Sequence, residues 1–534
     1  MLPVRAILLL NADGFMTRWQ SAAVREAERT GLSVSGVLLA ASPNRRQVEG
    51  RNLGYYALAK AARFRNPWTK SEPLDEALAA SVPVLNLTCG VERAWDVLTP
   101  EALEFCAGHD VVIKFGLGLL RIPDELPVSH GIVSYHHGDP RRYRGRPAGF
   151  HEMSNHESVM GVVVQRLNNI LDGGEILAEA TSPVYPYSYR RTLTDAYRSG
   201  IPLLAMTVRN LSAGRQIEAE SVGKKHTLPS NSAVLKVAAS QVLASASRLV
   251  YGAVRRKAWQ VGRLETPLDL AHGDITVSSV DIRRWSTPKP YAFLADPCGE
   301  DSEGVFCEAM LPTGKGSIVR LAGDCLRQVE FGQSGAHFSY PQIVHGGSSS
   351  YLFPEVASHN SPSLYAVDPD TLVVSHRQPL KGLECERVLD GTLFEHHGRW
   401  YLFGQRAEEP ASIVRLWHSN AILDTWEEHP CSPIVIDPRR ARMAGPILTQ
   451  NGENYRLAQD SAHGYGSALT VNRIELMSAD SYAEKPLGRL SINDFKGPHT
   501  LTSSSHGGYW LDLYRDEWSL LAGVSRFRGR IRGS

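Results

Sequence analysis

The 534-residue sequence lacks a CxxC pair, and none of its seven cysteines falls in a Cys/His spacing suited to a metal. An odd, scattered cysteine count with no framework reads as reduced thiols, with no disulfide scaffold and no metal site. Charge of one sign is also missing: 57 Lys and Arg stand against 56 Asp and Glu, a net charge of +1. No global field draws nucleic acid or a membrane surface. No apolar run approaches the ~20 residues needed to cross a bilayer, so no membrane span is expected. The opening run, residues 6–10, is too short for a signal peptide and is followed at once by Asn11 and Asp13, so it reads as a buried first strand. Together these absences point to a cytoplasmic protein.

What is present is ample for packed cores, with 43% apolar and 21% charged residues, and the length calls for two or three domains. Residues 4–10 are continuously apolar, as in a parallel strand covered on both faces. Patterns then alternate: helix at 17–30, strand at 34–40, helix at 45–64, strand at 82–87, helix at 99–107, strand at 110–115. This predicts an α/β doubly wound sheet over residues 1–185, with ligands beyond the C-terminal strand ends. Residues 186–257 read as a helical linker. A long helix is expected over 232–257, with Leu235, Val242, Leu249 and Val254 apolar, ending in Arg255, Arg256 and Lys257. Favourable charge at a helix C-terminus explains that triplet, and contact with an anionic membrane or glycolipid is the alternative.

Over residues 258–534 short strands and turns take over. An aromatic residue recurs at Phe306, Tyr351, Tyr401, Tyr455 and Tyr509, each preceded by a strand beginning at Asp296, Tyr340, Asp390, Gly445 and His499. The period of about 50 residues is that of a propeller blade. Five units predict an all-β five-bladed propeller whose inner strands aim side chains into a central funnel. Asp296, Glu355, Asp390 and Asp460 are the candidate funnel carboxylates. Arg442 and His499 would add hydrogen bonds to a sugar or phosphate. Carbohydrate binding and a purely structural network stand level as readings, with hydrolysis a distant third.

Two stretches of the first domain carry specific chemistry. Residues 131–145, GIVSYHHGDPRRYRG, hold two adjacent histidines, an aspartate and three arginines; residues 161–180 hold Asp172 before Gly173 and Gly174. A histidine beside a carboxylate can relay protons and is held in one tautomer by it. In order and spacing these stretches resemble the folate-dependent formyltransferases, which carry Asn-x-His, an aromatic-Arg-Gly, and a later Leu-Asp-x-Gly. The resemblance places His136 on the family histidine, Tyr143, Arg144 and Gly145 on the aromatic-Arg-Gly, and Asp172 on the aspartate. Ser134 stands where the family has asparagine.

That resemblance implies 10-formyltetrahydrofolate as donor, with the loop Phe115, Gly116, Leu117, Gly118 and Leu119 lining the pterin pocket together with Leu167 and Leu171. It implies His136 and Asp172 as catalytic residues, with Ser134 or His137 left to donate to the oxyanion. His151, Glu152 and His156 fit either contact with the acceptor amine or a solvated helix. Phrases of the second domain (FLADP, YLFPE, DGTLFEHHGRWYLFG, GPHTL) resemble five-bladed glycosidase propellers and, more closely, a domain of plant glucosamine inositolphosphorylceramide transferases. The two resemblances together imply N-formyl transfer to an amino sugar, in a nucleotide sugar or a surface-glycan precursor. The alternative is a glycan-binding or glycan-processing propeller protein with a lapsed formyltransferase domain. Near-neutral charge argues against tRNA as acceptor, and the oligomeric state is not legible.

Overall fold

The opening apolar run becomes β1, Val4–Asn11, an interior strand of a seven-stranded sheet. The computed structural model describes residues 3–43, 49–215, 217, 223–332, 336–346, 349–462, 464–520 and 522–523. It divides into two compact units, Met1–Ser245 and Ala246–Ser534. The elements of the first unit used below are α1 (Arg18–Glu28), β2 (Leu32–Ala41), β3 (Val84–Thr88), α2 (Pro100–Cys106), β4 (Val111–Lys114), β5 (Ile132–His136), β6 (Tyr143–Gly145), α3 (Phe150–Ser154), β7 (Val159–Arg166) and β8 (Glu175–Pro183). After them come α4 (Tyr189–Gly200), α5 (Leu203–Ser212), β9 (Lys224–His226) and α6 (Asn231–Val254).

The strand order is β8-β7-β5-β4-β1-β2-β3. From β5 to β3 all neighbours are parallel, and β7 and β8 extend the sheet antiparallel. Alternation along β1 aims Ile7 and Leu9 at Ala102 and Cys106 of α2, and Ala6, Leu8 and Leu10 at the other face. α2 starts where its sequence says it should: Pro100 opens it and Thr99 Oγ1 accepts from Ala102 N at 3.3 Å. The order of winding reverses at β1, the chain going first to β2 and β3 on one side and then to β4 and β5 on the other, so the ends of β1 and β4 form the switch point where such sheets bind ligands.

Residues 186–257 are not a linker. α4 and α5 pack on β8, with Leu193, Ala196, Leu204 and Val208 buried, and the boundary between units falls inside α6. That helix stops at Val254. Arg255, Arg256 and Lys257 begin a strand, β10 (Arg255–Leu264), so they do not form the last turn of the helix as expected. Residues 45–48, expected within the helix 45–64, lie outside the described residues; the helix there is Leu53–Phe64.

The second unit holds, among the described residues, five largely antiparallel sheets of four to six strands. Their leading strands are β11 (Phe293–Glu300), β12 (Phe338–Gly346), β13 (Val388–His396), β14 (Arg442–Met443) and β15 (Leu501–Ser503). The fifth sheet joins both ends of the unit, since β10 pairs along its whole length with β16 (Tyr509–Trp518). The recurring aromatics all fall on second strands. Phe306 packs with Phe338 and Leu352 of the next sheet, Tyr351 with Leu393 and Trp400, Tyr401 with Met443 and Ile474, and Tyr455 with Leu264 and Leu511. Val261 and Trp510 of the fifth sheet share a cluster with Leu294 and Val305 of the first. A left-handed residue recurs near each leading strand, at Asp296, Tyr340, Asp390, Gly445 and Gly497; in the first three sheets the strand register shifts there.

Candidate active site

Beyond the ends of β1 and β4 lies a cleft of about 920 Å³ in the first unit. Its apolar wall is Phe115, Leu117, Leu119 and Leu171; Asp172, Asp96, Arg146 and Lys225 supply its charge, and His226 adds an imidazole that burial holds below its ordinary value. The loop 115–119 is held tightly: Leu117 is left-handed, its N–H donates to Asn11 Oδ1 at 2.8 Å, and a Cβ on Gly116 would meet Asn11 N at 2.3 Å. Gly118 N donates to Asp96 Oδ2 at 3.3 Å. Phe115, Leu117, Gly118, Leu119 and Leu171 therefore line the cleft, whereas Gly116 serves close packing and Leu167 packs against the core cluster of the sheet.

Asp172 closes one side of the cleft in a left-handed conformation, which Asp tolerates better than most residues. One carboxylate oxygen accepts from Gly145 N at 2.7 Å and the other lies 3.5 Å from His136 Nδ1. The other ring nitrogen, Nε2, donates to the Tyr143 carbonyl at 2.9 Å. Both nitrogens thus face acceptors, and a neutral imidazole has one N–H to share between them. Gly138 makes room for the ring, since a Cβ there would sit 2.7 Å from Nε2. Arg144 clamps the site from behind, donating to Gly223 O at 2.7 Å and Leu171 O at 3.1 Å.

The two expected oxyanion donors are placed elsewhere. Ser134 Oγ donates to Lys114 O at 3.2 Å, its hydroxyl spent on the neighbouring strand. His137 follows His136 with the opposite orientation, the consequence of strand alternation. It lies among Trp19, Tyr135 and Tyr197, where burial, with the charge of His136, pushes its imidazole down to about 3. Of the acceptor-side candidates, His151 Nε2 donates to Thr227 O at 3.1 Å. Glu152 is buried and its carboxyl is pushed up to about 7 by that burial. Sequence reasoning missed the wall Lys225, His226, Thr227 and Leu228. β9 pairs with β6 across a register that puts His226 O against Gly145, and nothing local marks it.

In the second unit, Asp296, His499 and Asp512 are brought together and buried. His499 Nδ1 lies 3.0 Å from Asp296 Oδ1 and 3.2 Å from Asp512 Oδ2. Burial alone would lower His499; Tyr465 and the two aspartates raise it past its ordinary value. Burial raises Asp296 and Glu308, and pushes Glu355 up to about 7, helped by the charge of Asp390. Asp390 pairs with Arg442, whose guanidinium lies over Tyr465. These carboxylates also catch the main chain. Asp512 accepts from Asp296 N at 3.0 Å, and Glu355 from Asp390 N at 2.8 Å. Asp460 pairs with Arg489 instead. Glu308, Asp512 and Tyr465 were not foreseen; the first two are carboxylates on second strands, with Glu355 at the corresponding place in the second sheet.

Residues 331–503 match the family described as Glucosamine inositolphosphorylceramide transferase 1, N-terminal. That part of the second unit is similar to the plant transferase's N-terminal region. The Arabidopsis thaliana transferase is 28% identical over 155 residues, covering 28% of this chain and 20% of its own length. The protein of the same name from Oryza sativa subsp. japonica is 26% identical over 190 residues, 33% of this chain and 25% of its own. The chain spans about a quarter of the length of the curated relatives it matches. Among solved structures, the N-formyltransferase of Helicobacter canadensis in complex with folinic acid and dTDP-3-aminofucose aligns with 42% of this chain and 71% of its own, at 13% identity and a TM-score of 0.27.

Proposed function

We propose that the first unit transfers a formyl group from 10-formyltetrahydrofolate to the amine of an amino sugar, carried on a nucleotide or on a glycan precursor. The observation that carries this reading is that Asp172 and the 115–119 loop line one cleft at the sheet's switch point, with His136 Nδ1 3.5 Å from the Asp172 carboxylate, in the order of the formyltransferase motifs. Phe115, Leu117, Leu119 and Leu171 offer a flat apolar wall of the kind a pterin ring needs, and the cleft volume suits ligands of this size. The folate donor, when bound, supplies the formyl carbon. The chain's own part is to hold the amine near Asp172, to take its proton onto the His136–Asp172 pair as the new C–N bond forms, and to return that proton to the folate nitrogen as its bond to the formyl carbon breaks, with Arg146, Lys225 and His226 available to an anionic group. Seven free cysteines accord with a cytoplasmic site of action.

For the second unit the proposal is a five-bladed propeller that recognises the sugar. Five sheets sharing apolar clusters in cyclic order, with β10 and β16 joining the two ends, support the propeller. The cluster of Asp296, Glu355, Asp390, Arg442 and His499 supports a polar funnel.

One observation favours the rival reading, a glycan-binding or glycan-processing propeller protein with a lapsed first domain: Ser134 and His137 are both unavailable as oxyanion donors. The deciding experiment incubates the full chain with 10-formyltetrahydrofolate and nucleotide-linked amino sugars and follows the mass gain of one formyl group. Formylated sugar, abolished by Asp172→Asn, supports the proposal. No product, together with no thermal shift from a folate analogue, hands the protein to the rival.

A further inference from the structure

The cleft of about 920 Å³ lies near the top of the range for small-molecule sites, roughly 300–1,000 Å³. It has room for a second ligand beside the one its apolar wall accommodates. Leu171, the residue before Asp172, belongs to that wall. Gly145, whose N–H donates to the Asp172 carboxylate at 2.7 Å, is followed by Arg146. The carboxylate therefore joins an apolar side of the cleft to a cationic one.

The cationic side is a short two-stranded ribbon. β9 pairs with β6 in parallel, Lys225 opposite Arg144 and His226 opposite Gly145. Arg146 comes two residues after Arg144, so its backbone lies about 8 Å from that of Lys225, close enough for two long side chains to converge on one ligand. Arg146 N donates to His226 O at 3.4 Å. Beyond β9 the buried Asn52 holds the chain, its Nδ2 donating to Leu228 O at 3.2 Å and Pro229 O at 2.8 Å.

Most charges around the ribbon are committed. Arg144 donates to Gly223 O and Leu171 O, Arg142 pairs with Glu157, and Arg141 pairs with Asp139 and Glu179. Asp96 accepts from Ser42 Oγ at 2.6 Å and Gly118 N at 3.3 Å, while Asp172 faces Gly145 N and His136. Arg146 and Lys225 are exposed on the cleft, and among the described residues neither is paired with a carboxylate. Lys224, exposed on the same strand, adds to the positive potential without lining the cleft. Two cations without counter-charge select an anion, and a guanidinium fork beside an ammonium fits phosphate oxygens. An amino sugar on an uncharged glycan would bring a further positive charge to this wall. A nucleoside-diphosphate amino sugar brings two negative charges against that one.

We propose that Arg146 and Lys225 bind a diphosphate, and that the acceptor is a nucleoside-diphosphate amino sugar rather than an amino sugar on an uncharged glycan. The diphosphate site follows from the ribbon's geometry and charge alone, whereas its assignment to the acceptor rests on formyl transfer being the reaction.

Calorimetric titration of the full chain with inorganic pyrophosphate and, separately, with folinic acid tests this. Pyrophosphate should bind the wild type. Arg146→Gln with Lys225→Gln should raise its dissociation constant about 100-fold at unchanged Tm, since both side chains are exposed, and should leave folinic acid binding as it was. Lys224→Gln, a charge removed outside the cleft, should change pyrophosphate affinity less than about threefold. In a formyl-transfer assay the double change should raise KM for the nucleotide-linked amino sugar with kcat nearly held. Should the double variant not fold, Arg146→Lys, which keeps the charge and loses the fork, should weaken pyrophosphate about 10-fold. Pyrophosphate that does not bind, or that binds the double variant as tightly, overturns the site even if formyl transfer proceeds. Loss of folinic acid binding in the variant overturns it too, giving the two cations to the carboxylates of the folate tail. Equal turnover of an amino sugar on an uncharged glycan overturns the acceptor assignment. Pyrophosphate binding that the double change abolishes, with no formyl transfer to any amino sugar, upholds the diphosphate site and removes only the reaction.

Discussion

Each unit sets a histidine against carboxylate, and the two arrangements differ in what is left over. Asp512 is fully buried and accepts from the N–H groups of Asp296, His499 and Thr500. Its oxygens are taken up by main chain and by the His499 ring, and it stitches the last sheet to the first. Asp172 holds a single main-chain N–H, keeps 19% of its side chain exposed, and faces a cleft. A saturated carboxylate is architecture; one with spare capacity on a cavity is available for chemistry. The same residue types thus carry opposite expectations for mutation.

The largest effect is expected at Asp172→Asn. Asparagine tolerates the left-handed backbone and can still accept from Gly145 N, but it cannot balance a charged His136. Formyl transfer should fall about 1,000-fold with Tm unchanged. Unaltered turnover would remove Asp172 from the mechanism. Asp512→Asn should do the reverse, lowering stability by about 3 kcal/mol in a denaturant titration while the first unit still transfers formyl groups. Loss of sugar binding at unchanged stability would instead make the second cluster a ligand site and erase the contrast.

Gly138→Ala comes next. Its Cβ would press on His136 Nε2 and on the Tyr143 carbonyl, so the ring must shift, and a displaced base costs about 10- to 100-fold in rate. Steady-state kinetics beside a melting curve separates that from unfolding.

The units should also diverge with pH. His137 is held at about 3 against an ordinary 6.5. The unfolded chain alone takes up a proton in that window, so stability present above pH 6.5 is lost as pH falls towards 3. Glu355 is raised from 4.5 to about 7. The folded chain keeps its proton longer, so stability present below pH 4.5 is lost as pH rises through 7. His137→Phe should flatten the acid limb of Tm against pH, and Glu355→Gln the limb between 4.5 and 7.

The smallest effect is expected at Ser134→Asn. The hydroxyl contributes one hydrogen bond to Lys114 O, worth about 1 kcal/mol, and asparagine in its place changes the rate little unless it turns into the cleft. A large gain in rate would show that the amide donor was the missing part.

Much of the first unit could be read from the chain alone. Short-range pattern decides whether a segment is strand or helix, and a motif such as residues 131–145 keeps its residues together wherever it folds. His136, Asp172 and the 115–119 loop were legible for that reason, as were the five repeats marked by Phe306, Tyr351, Tyr401, Tyr455 and Tyr509. Tertiary structure decided what depends on which face a side chain takes and what returns from far away in the chain. It turned His137 away from His136 and tied Ser134 to β4. It brought β9 back to wall the cleft with Lys225 and His226, and used Asp512 to bind the chain's late strands to Asp296. Sequence carries local periodicity, whereas hydrogen-bond capacity is consumed by partners hundreds of residues distant, and only packing reveals which polar groups still have any to spare.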